Sequence, residues 1–568
     1  MNKIKANSVL VGRLTRDNSK NIIVSISLIF LATIFWSIAW GPCAAPWNTD
    51  CFTNGDWGDY KHHYQGWISY LRGDYWLPPY QKAFTWPYLG SALTTDSIPI
   101  VALIAKPLTI LFGIGNWQYF SLLSLFNLYL IIYASWRIAR YRSLPRFGYA
   151  TLSILLITTS ISWTRLRFGH ESLHLHGLLI LSLAWIICHN RSVTQWLLLL
   201  LFGIGVHAYY SPMLLAAFVV ARIQSHRTHS LSWINTLFVG TLFTAICSLF
   251  FGYLPGYETA SDQQVWSANI LSLLDPQQYS STFPGIEVNM PYQVEGYSYL
   301  GIGILISVLF VIAYRGSGAS TASSRGTLFP GVWWFVAGSL AILALGPKWW
   351  LADLDLYPNT SLCTIPGYCL FYDVFRSSGR FVWPLAYTII IYVVDLVSRL
   401  HSPNLVLGII LFLQLADSNL RSIYKQGYQY KERYVGDHKP HREWIRKNPR
   451  HTDAIRSADL LLVRHNAAPL NLPPPYTPQY INNKIRSNWG GEGMTRWPRQ
   501  FIPSKVVDMT LEVLHNKNIS DPSLRLIGSN IILCDTREST LRSLQRLSQL
   551  QTIKLSSLGP GWYRIHVK

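Results

Sequence analysis

The chain has 568 residues, half of them hydrophobic, with 13% charged, 14% aromatic and a formal net charge of +20. This is the balance of a multi-pass membrane protein carrying a soluble part. The charge lies largely in short loops and in the tail, so it reports topology and implies no nucleic-acid reader.

The N-terminus holds Lys3, Lys5, Arg13, Arg16 and Lys20, followed by an apolar run at 21–40, about the length needed to cross hydrocarbon. By the positive-inside rule the N-terminus is cytoplasmic. No convincing small-residue cleavage site follows, so the run reads as a retained helix and the next loop as extracytoplasmic. That loop contains GDWGDYKHHYQGW at 55–67, with Asp56, Asp59, His62, His63 and four aromatic residues around a glycine-rich turn. Apolar membrane chains rarely carry such a density of ionisable groups unless the loop binds or activates something.

Further spans are expected at 116–138, 147–163, 172–189, 194–209, 210–223, 231–251, 297–314, 328–345, 379–397 and 405–416. The loops holding Arg137, Arg140, Arg142 and Arg146, then Arg222, His226 and Arg227, then Arg315 and Arg325, all become cytoplasmic if 97–112 does not cross. That segment, SIPIVALIAKPLTILF, is short and carries Pro99, Lys106 and Pro107, so it is expected to be re-entrant or interfacial. About eleven crossings result, with the C-terminus outside. GSGASTASS at 316–324 reads as a flexible cytoplasmic linker. No internal repeat is evident.

Beyond Asp417 the long apolar runs cease. A proline-rich connector, LNLPPPYTPQY, precedes an expected helix at 506–515, strand at 530–534, helix at 539–550 and strand at 562–567. The expected fold is thus an α-helical multi-pass membrane domain at 1–417, with interfacial helices in its first external loop, and a small extracytoplasmic α/β domain at 418–568.

Acidic and histidine-rich motifs collect on the face read as external. An enzyme there has no access to cytoplasmic nucleotide donors and needs an activated substrate delivered in the bilayer, of which a polyprenyl phosphate ester is the obvious type. Arg165, Arg167 and His170 in TRLRFGHESLHLHG, with Arg376 and Arg380 from a later loop, have the charge and depth to hold its phosphate. The plainer alternative is that the arginines snorkel to the interface. A glycosyl transfer also needs a general base, for which Asp59 is the first choice and Asp56 the second. The alternative reading of GDWGD is a capped turn. His62, His63, Asp96, Glu171, His174, Glu295 and Trp67 complete the candidate substrate surface, and Trp57, Tyr60 and Tyr64 offer further stacking faces.

His62 and His63 with the aspartates admit an oxygen-rich Mg or Mn site, but adjacent histidines diverge on a helix and no HExxH or spaced cysteine set accompanies them. No cofactor is therefore assigned. Cys43 and Cys51 form one close pair in an external loop and Cys363 and Cys369 another, consistent with two short disulfide loops. Four unrelated thiols are the alternative.

With an N-in first helix, an aspartate motif and interfacial helices in the first external loop, many short spans and a C-terminal α/β domain, the chain resembles the membrane-integral GT-C type glycosyltransferases. More narrowly, GDYKHHYQGW, TTDSIPIVALIAKPL, RFGHESLHLHGLLIL, QVEGYSYLGIGIL and FRSSGRFVWPLAY resemble the recurrent blocks of a bacterial membrane family related to the YfhO-type proteins. The likeness covers most of residues 20 to 420. It implies transfer of a sugar from a polyprenyl phosphate carrier to an envelope glycan, lipid or protein on the periplasmic side of the inner membrane. The resemblance further implies an inverting attack assisted by the first-loop aspartate, which here is Asp59, or Asp56 in the neighbouring register. The oligosaccharyltransferase signature WWD is absent, since Leu351 follows Trp349 and Trp350, so sequon-directed protein glycosylation is not expected. Two further readings stay open: a transporter or flippase of a lipid-linked glycan, and a non-catalytic scaffold binding envelope polymer through its basic tail.

Alkylation with and without reductant is expected to show Cys43, Cys51, Cys363 and Cys369 protected until reduction, read by mass shift. Four freely labelled thiols would argue against the assigned topology.

Overall fold

The computed structural model describes residues 22–49, 52, 60–72, 80–81, 90–91, 96–115, 117–167, 169–190, 192–225, 231–252, 266–277, 279–286, 293–316, 327–356, 362, 365, 371–372, 374–375, 377–400, 402–418, 460–463, 530–534, 542, 545, 548–549, 553–559 and 562–567. Helices dominate. In chain order they are α1 (Ile22–Ala44), α2 (Tyr60–Arg72), α3 (Pro99–Leu111), α4 (Phe120–Arg142), α5 (Arg146–Thr158), α6 (Ser160–Arg167), α7 (Gly177–Ile187), α8 (Val193–Val206), α9 (Tyr210–Ser225), α10 (Leu231–Phe251), α11 (Ile302–Gly316), α12 (Gly331–Ala344), α13 (Trp383–Val397) and α14 (Pro403–Asp417). Five stretches are long and apolar enough to cross a membrane: Ile22–Ala44, Phe120–Arg142, Arg146–Leu166, Ile234–Phe251 and Ser378–Val397. The other apolar helices are shorter, among them the 13-residue α3.

Local sequence explains the element boundaries. α4 stops where Ser143 adopts a left-handed conformation (φ +54°) and returns its N–H to the carbonyls of Ala139 and Arg140, after which Pro145 opens α5. Between α5 and α6, Thr159 is extended (ψ 129°), which breaks one apolar stretch into two helices. Ser192 caps α8 by accepting from the Gln195 N–H. At the head of α7, the Gly177 N–H donates to Asn127 Oδ1 of α4 at 2.7 Å, so a side-chain amide satisfies one of the donors that a helix N-terminus leaves open.

The chain divides into two compact units. The first comprises Met1–Pro46, Tyr119–Cys247 and Thr259–Tyr430. Within it the helix ends fall into two groups. At one end Arg142 of α4 binds Asp395 of α13, Cys188 after α7 donates to the Arg137 carbonyl, and Gln224 of α9 meets His189. At the other, Arg165 of α6 and Arg380 before α13 meet Glu295, Ser377 donates to Tyr209 before α9, and Ala268 donates to the Ala344 carbonyl of α12. Asp417, closing α14, accepts from Ser280, Thr282 and the Ile302 N–H that opens α11. α9 and α13 each begin in the second group and end in the first. α11 and α14 approach closely because residue 303 is glycine: a Cβ there would stand 2.4 Å from the Ile410 carbonyl.

The second unit comprises Trp47–Gln118, Ser248–Glu258 and Lys431–Lys568, so the first loop falls with the tail and not with the spans. Here α2 is seated by Trp67, whose Nε1 donates to the Trp117 carbonyl at 2.8 Å, while Trp117 Nε1 donates to Thr109 of α3 at 2.7 Å. Lys106 of α3 is buried, yet its Nζ donates to the Tyr70 carbonyl in the last turn of α2 and lies over the Tyr70 ring. A cation there is favoured by the helix dipole, and burial pushes the Tyr70 hydroxyl up to about 12.

The tail carries a four-stranded sheet of order β5-β6-β8-β7, formed by Leu460–Val463, Asn530–Cys534, Trp562–Val567 and Ile553–Gly559 respectively. β5 and β6 are parallel, and β8 is antiparallel to both β6 and β7. β6 and β8 occupy the two expected strands; β5 and β7 lie outside the expected elements. Short hairpins pair β1 (Tyr80–Gln81) with β2 (Gly90–Ser91) and, in the first unit, β3 (Trp350–Leu351) with β4 (Leu354–Asp355). The expected helix at 506–515 lies outside the described residues. Of 539–550, positions 542, 545, 548 and 549 are described, as helix.

Gly303→Ala is expected to force α11 off α14 and lower the melting temperature of the detergent-solubilised chain. The destabilisation should reach about 1–3 kcal/mol, typical of overpacking. Unchanged unfolding would show that the contact is not tight.

Candidate functional site

One carboxylate organises the polar end of the first unit. Glu295 sits in a single 3-10 turn, Gln293–Gly296, ahead of α11. Its Oε2 accepts from Arg165 Nη1 at 2.7 Å and from Arg380 Nε at 2.7 Å, and its Oε1 lies 4.0 Å from His170 Nδ1. All three members of the ion cluster are buried, Arg165 completely. Four separate segments converge: the last turn of α6, the turn after it, the 3-10 turn before α11, and the 3-10 turn Ser378–Val382 before α13.

Aromatic groups hold the guanidiniums from outside. The Arg380 guanidinium carbon lies 4.4 Å from the centre of the Tyr209 ring, and that of Arg165 lies 5.6 Å from Trp383. Desolvated cations over aromatic faces gain as much as about 2 kcal/mol. Trp383 in turn packs against His176, the ring centres 4.3 Å apart and tilted by 39°, and His176 Nδ1 shares a 2.6 Å hydrogen bond with Tyr387, one turn further along α13. Sequence reading did not find Tyr209, Trp383 or Tyr387, because buried aromatics in an apolar helix carry no mark that separates them from core.

Electrostatics fixes the protonation of Glu295. Burial alone would raise its pKa, but Arg380, Arg165 and His170 together outweigh burial and hold the carboxyl well below the usual carboxylate range. It is therefore an anion at physiological pH. Its role is to fix two guanidiniums at one point, where two positive groups face one negative group.

The remaining expected residues fall as follows. Glu171 is buried in the turn beside His170. His174 is spent within the helix packing: Nε2 is 2.9 Å from Ser124 Oγ and Nδ1 2.9 Å from Ser162 Oγ, so the ring braces α4 against α6. Arg167 ends α6, and His62 lies on α2, with both side chains outside the described residues. Asp56, Asp59 and Arg376 lie wholly outside them. In the second unit His63 Nε2 is 3.7 Å from Asp96 Oδ2, with both side chains buried, and Asp96 adopts a left-handed φ of +52°. Trp67 is a buried seat for α2. Cys43 is disulfide-bonded; Cys51, Cys363 and Cys369 lie outside the described residues. Among the described residues no group of three or more His, Cys, Asp or Glu is placed to hold a metal ion.

The chain belongs to the family described as a domain of unknown function, DUF6311, whose sequence model matches residues 27–419. Glu295, Arg165, His170 and Arg380 all fall inside that match. No curated protein and no solved structure matches the chain.

Glu295→Gln is expected to destabilise the protein at pH 7 by about 3–5 kcal/mol, because two buried guanidiniums lose their charge partner. A carboxylate with a depressed folded pKa contributes stability that is fully present above its unfolded value, about 4.3, and lost as pH falls through the folded value. The difference in melting temperature between parent and variant should therefore be flat from about pH 8 to about pH 5 and shrink only in stronger acid. A difference that changed between about pH 6 and 8 would contradict the assignment.

Proposed function

We propose that this DUF6311 protein is a membrane glycosyltransferase that takes a sugar from a polyprenyl phosphate carrier and passes it to a cell-envelope glycan or lipid. One observation carries the reading: Arg165 and Arg380, from different helices, converge on Glu295 at one end of the first unit. A phosphate arriving at the edge of a bilayer needs such a cationic point, and guanidiniums already oriented by a carboxylate and by aromatic faces bind it at reduced entropic cost. The charged residues described in the first unit lie near helix ends, which suits chemistry at the membrane boundary better than carriage of a glycan through the middle of the bilayer.

In this reading Glu295 orients and does not act as the base, because its arginine partners make the carboxylate a weak proton acceptor. Proton removal from the acceptor hydroxyl falls to the first-loop carboxylate, Asp59 with Asp56 as alternate, and the site faces the periplasm across the inner membrane. Binding uses the phosphate oxygens, so Arg165 and Arg380 lower the energy of the leaving carrier phosphate as its negative charge grows. No metal is assigned to the step.

Mass spectrometry of envelope glycans from a strain lacking the protein is expected to show a missing sugar that the parent gene restores. Asp59→Asn should fail to restore it while reaching the membrane in normal amount. Arg380→Lys keeps the charge but loses the fork. It should reduce donor use by about tenfold, the loss of one charge-assisted hydrogen bond. Full activity in both the Asp59→Asn and Asp56→Asn variants would remove the proposed base, and an unchanged glycan profile would remove the proposed reaction.

A further inference from the structure

The opposite end of the first unit carries a second arginine–carboxylate cluster that the proposed reaction does not use. Asp395, near the end of α13, accepts from Arg142 Nε at 3.1 Å and Nη2 at 3.2 Å, and from Arg399 Nε at 3.1 Å and Nη2 at 2.9 Å. Two planar forks are thereby locked on one buried carboxylate, 2% exposed. Residue 148, at the start of α5, is a glycine close to this end of α13: a Cβ there would stand 2.9 Å from Ser398 Oγ. The α4–α5 turn and the end of α13 thus form one surface.

Charge on that surface is one-sided. Residues 133–148 and 395–400 hold Arg137, Arg140, Arg142, Arg146 and Arg399 against the single carboxylate of Asp395. Arg140 and Arg146 are exposed. Each is followed directly in the chain by an exposed ring, Tyr141 and Phe147, and the Arg140 guanidinium carbon is 5.4 Å from the Trp136 ring centre. Cations interleaved with aromatic rings at the end of an apolar helix match the headgroup layer of a membrane, where the rings sit among the glycerol groups and the cations meet phosphate.

We propose that this surface binds the headgroup of an anionic phospholipid of the phosphatidylglycerol class. A scatter of flexible loop arginines would serve topology alone; here the Arg142 and Arg399 forks, spent on the shared buried aspartate, fix the α4–α5 turn against the end of α13, so the exposed Arg140 and Arg146 are presented from a fixed edge, which lowers the entropic cost of binding. Each cation near the surface adds attraction for an anionic lipid and none for a zwitterionic one.

The test uses the full chain purified in non-ionic detergent, with phosphatidylglycerol or phosphatidylcholine added, read by native mass spectrometry and by melting temperature. Phosphatidylglycerol should remain bound and raise the melting temperature, phosphatidylcholine should do neither, and about 0.5 M salt should weaken the effect. The double variant Arg140→Gln/Arg146→Gln changes two exposed side chains, so it should melt as the parent does without lipid while binding phosphatidylglycerol about tenfold or more weakly. Equal binding of the two lipids would overturn the proposal, as would a variant that binds as tightly as the parent. Complete displacement by equimolar inorganic phosphate would also overturn it, by revealing a small-anion pocket.

Discussion

The polar end of the first unit depends on a buried carboxylate that has to stay charged. Removing Arg165 and Arg380 from water is costly unless each meets an anion at close range, and Glu295 Oε2 meets both at 2.7 Å. This constraint ties together segments 130 and 85 residues apart in sequence. It fixes the end of α6, the entry to α11 and the entry to α13 with respect to one another. The aromatic partners follow from it: once the guanidiniums are held at that point, Tyr209 and Trp383 supply faces where water would otherwise be required.

A second carboxylate, Asp395, performs the same task at the other end of α13. From Arg380 to Asp395 is roughly 20 Å along the helix at 1.5 Å per residue, so the two ion clusters bracket one apolar stretch. A helix with a fixed polar group at each end has little freedom to slide along its axis. The two clusters differ in what surrounds them. Around Glu295 the ring partners are buried, whereas around Asp395 two further arginines and two rings are exposed. That contrast gives one end the character of an enclosed site and the other that of a surface.

Much of the helical fold is legible in the sequence because apolar length is a strong signal. The run at 21–40 overlaps Ile22–Ala44, and the run at 231–251 coincides with α10. Where the signal fails, the cause is physical. Residues 147–163 read as one segment, but extended Thr159 divides them, a local backbone choice that periodicity does not report. In the tail, β6 and β8 are visible as short β-rich runs, whereas β5 is four apolar residues, LLLV, whose parallel partner lies about 70 residues away; its strand character comes from pairing and not from pattern. β7, IKLSSLG, alternates weakly and ends in glycine, so it too depends on its neighbour.

The site shows the same division between identity and pairing. Arg165, His170, Glu295 and Arg380 are each readable as ionisable groups at helix ends. Their mutual contact is not readable, because nothing in 130 intervening residues encodes which carboxylate meets which guanidinium. Reading Glu295 as a substrate ligand rested on its place in an external loop. Its geometry assigns it a different task, since a carboxylate accepting from two guanidiniums through one oxygen is already saturated there and is held far from protonation. The cluster thus consists of two guanidiniums fixed at one point by a carboxylate whose affinity for a proton is low. Under the proposed glycosyl transfer, the base then falls to the first-loop aspartates and not to the carboxylate at the centre of the cluster.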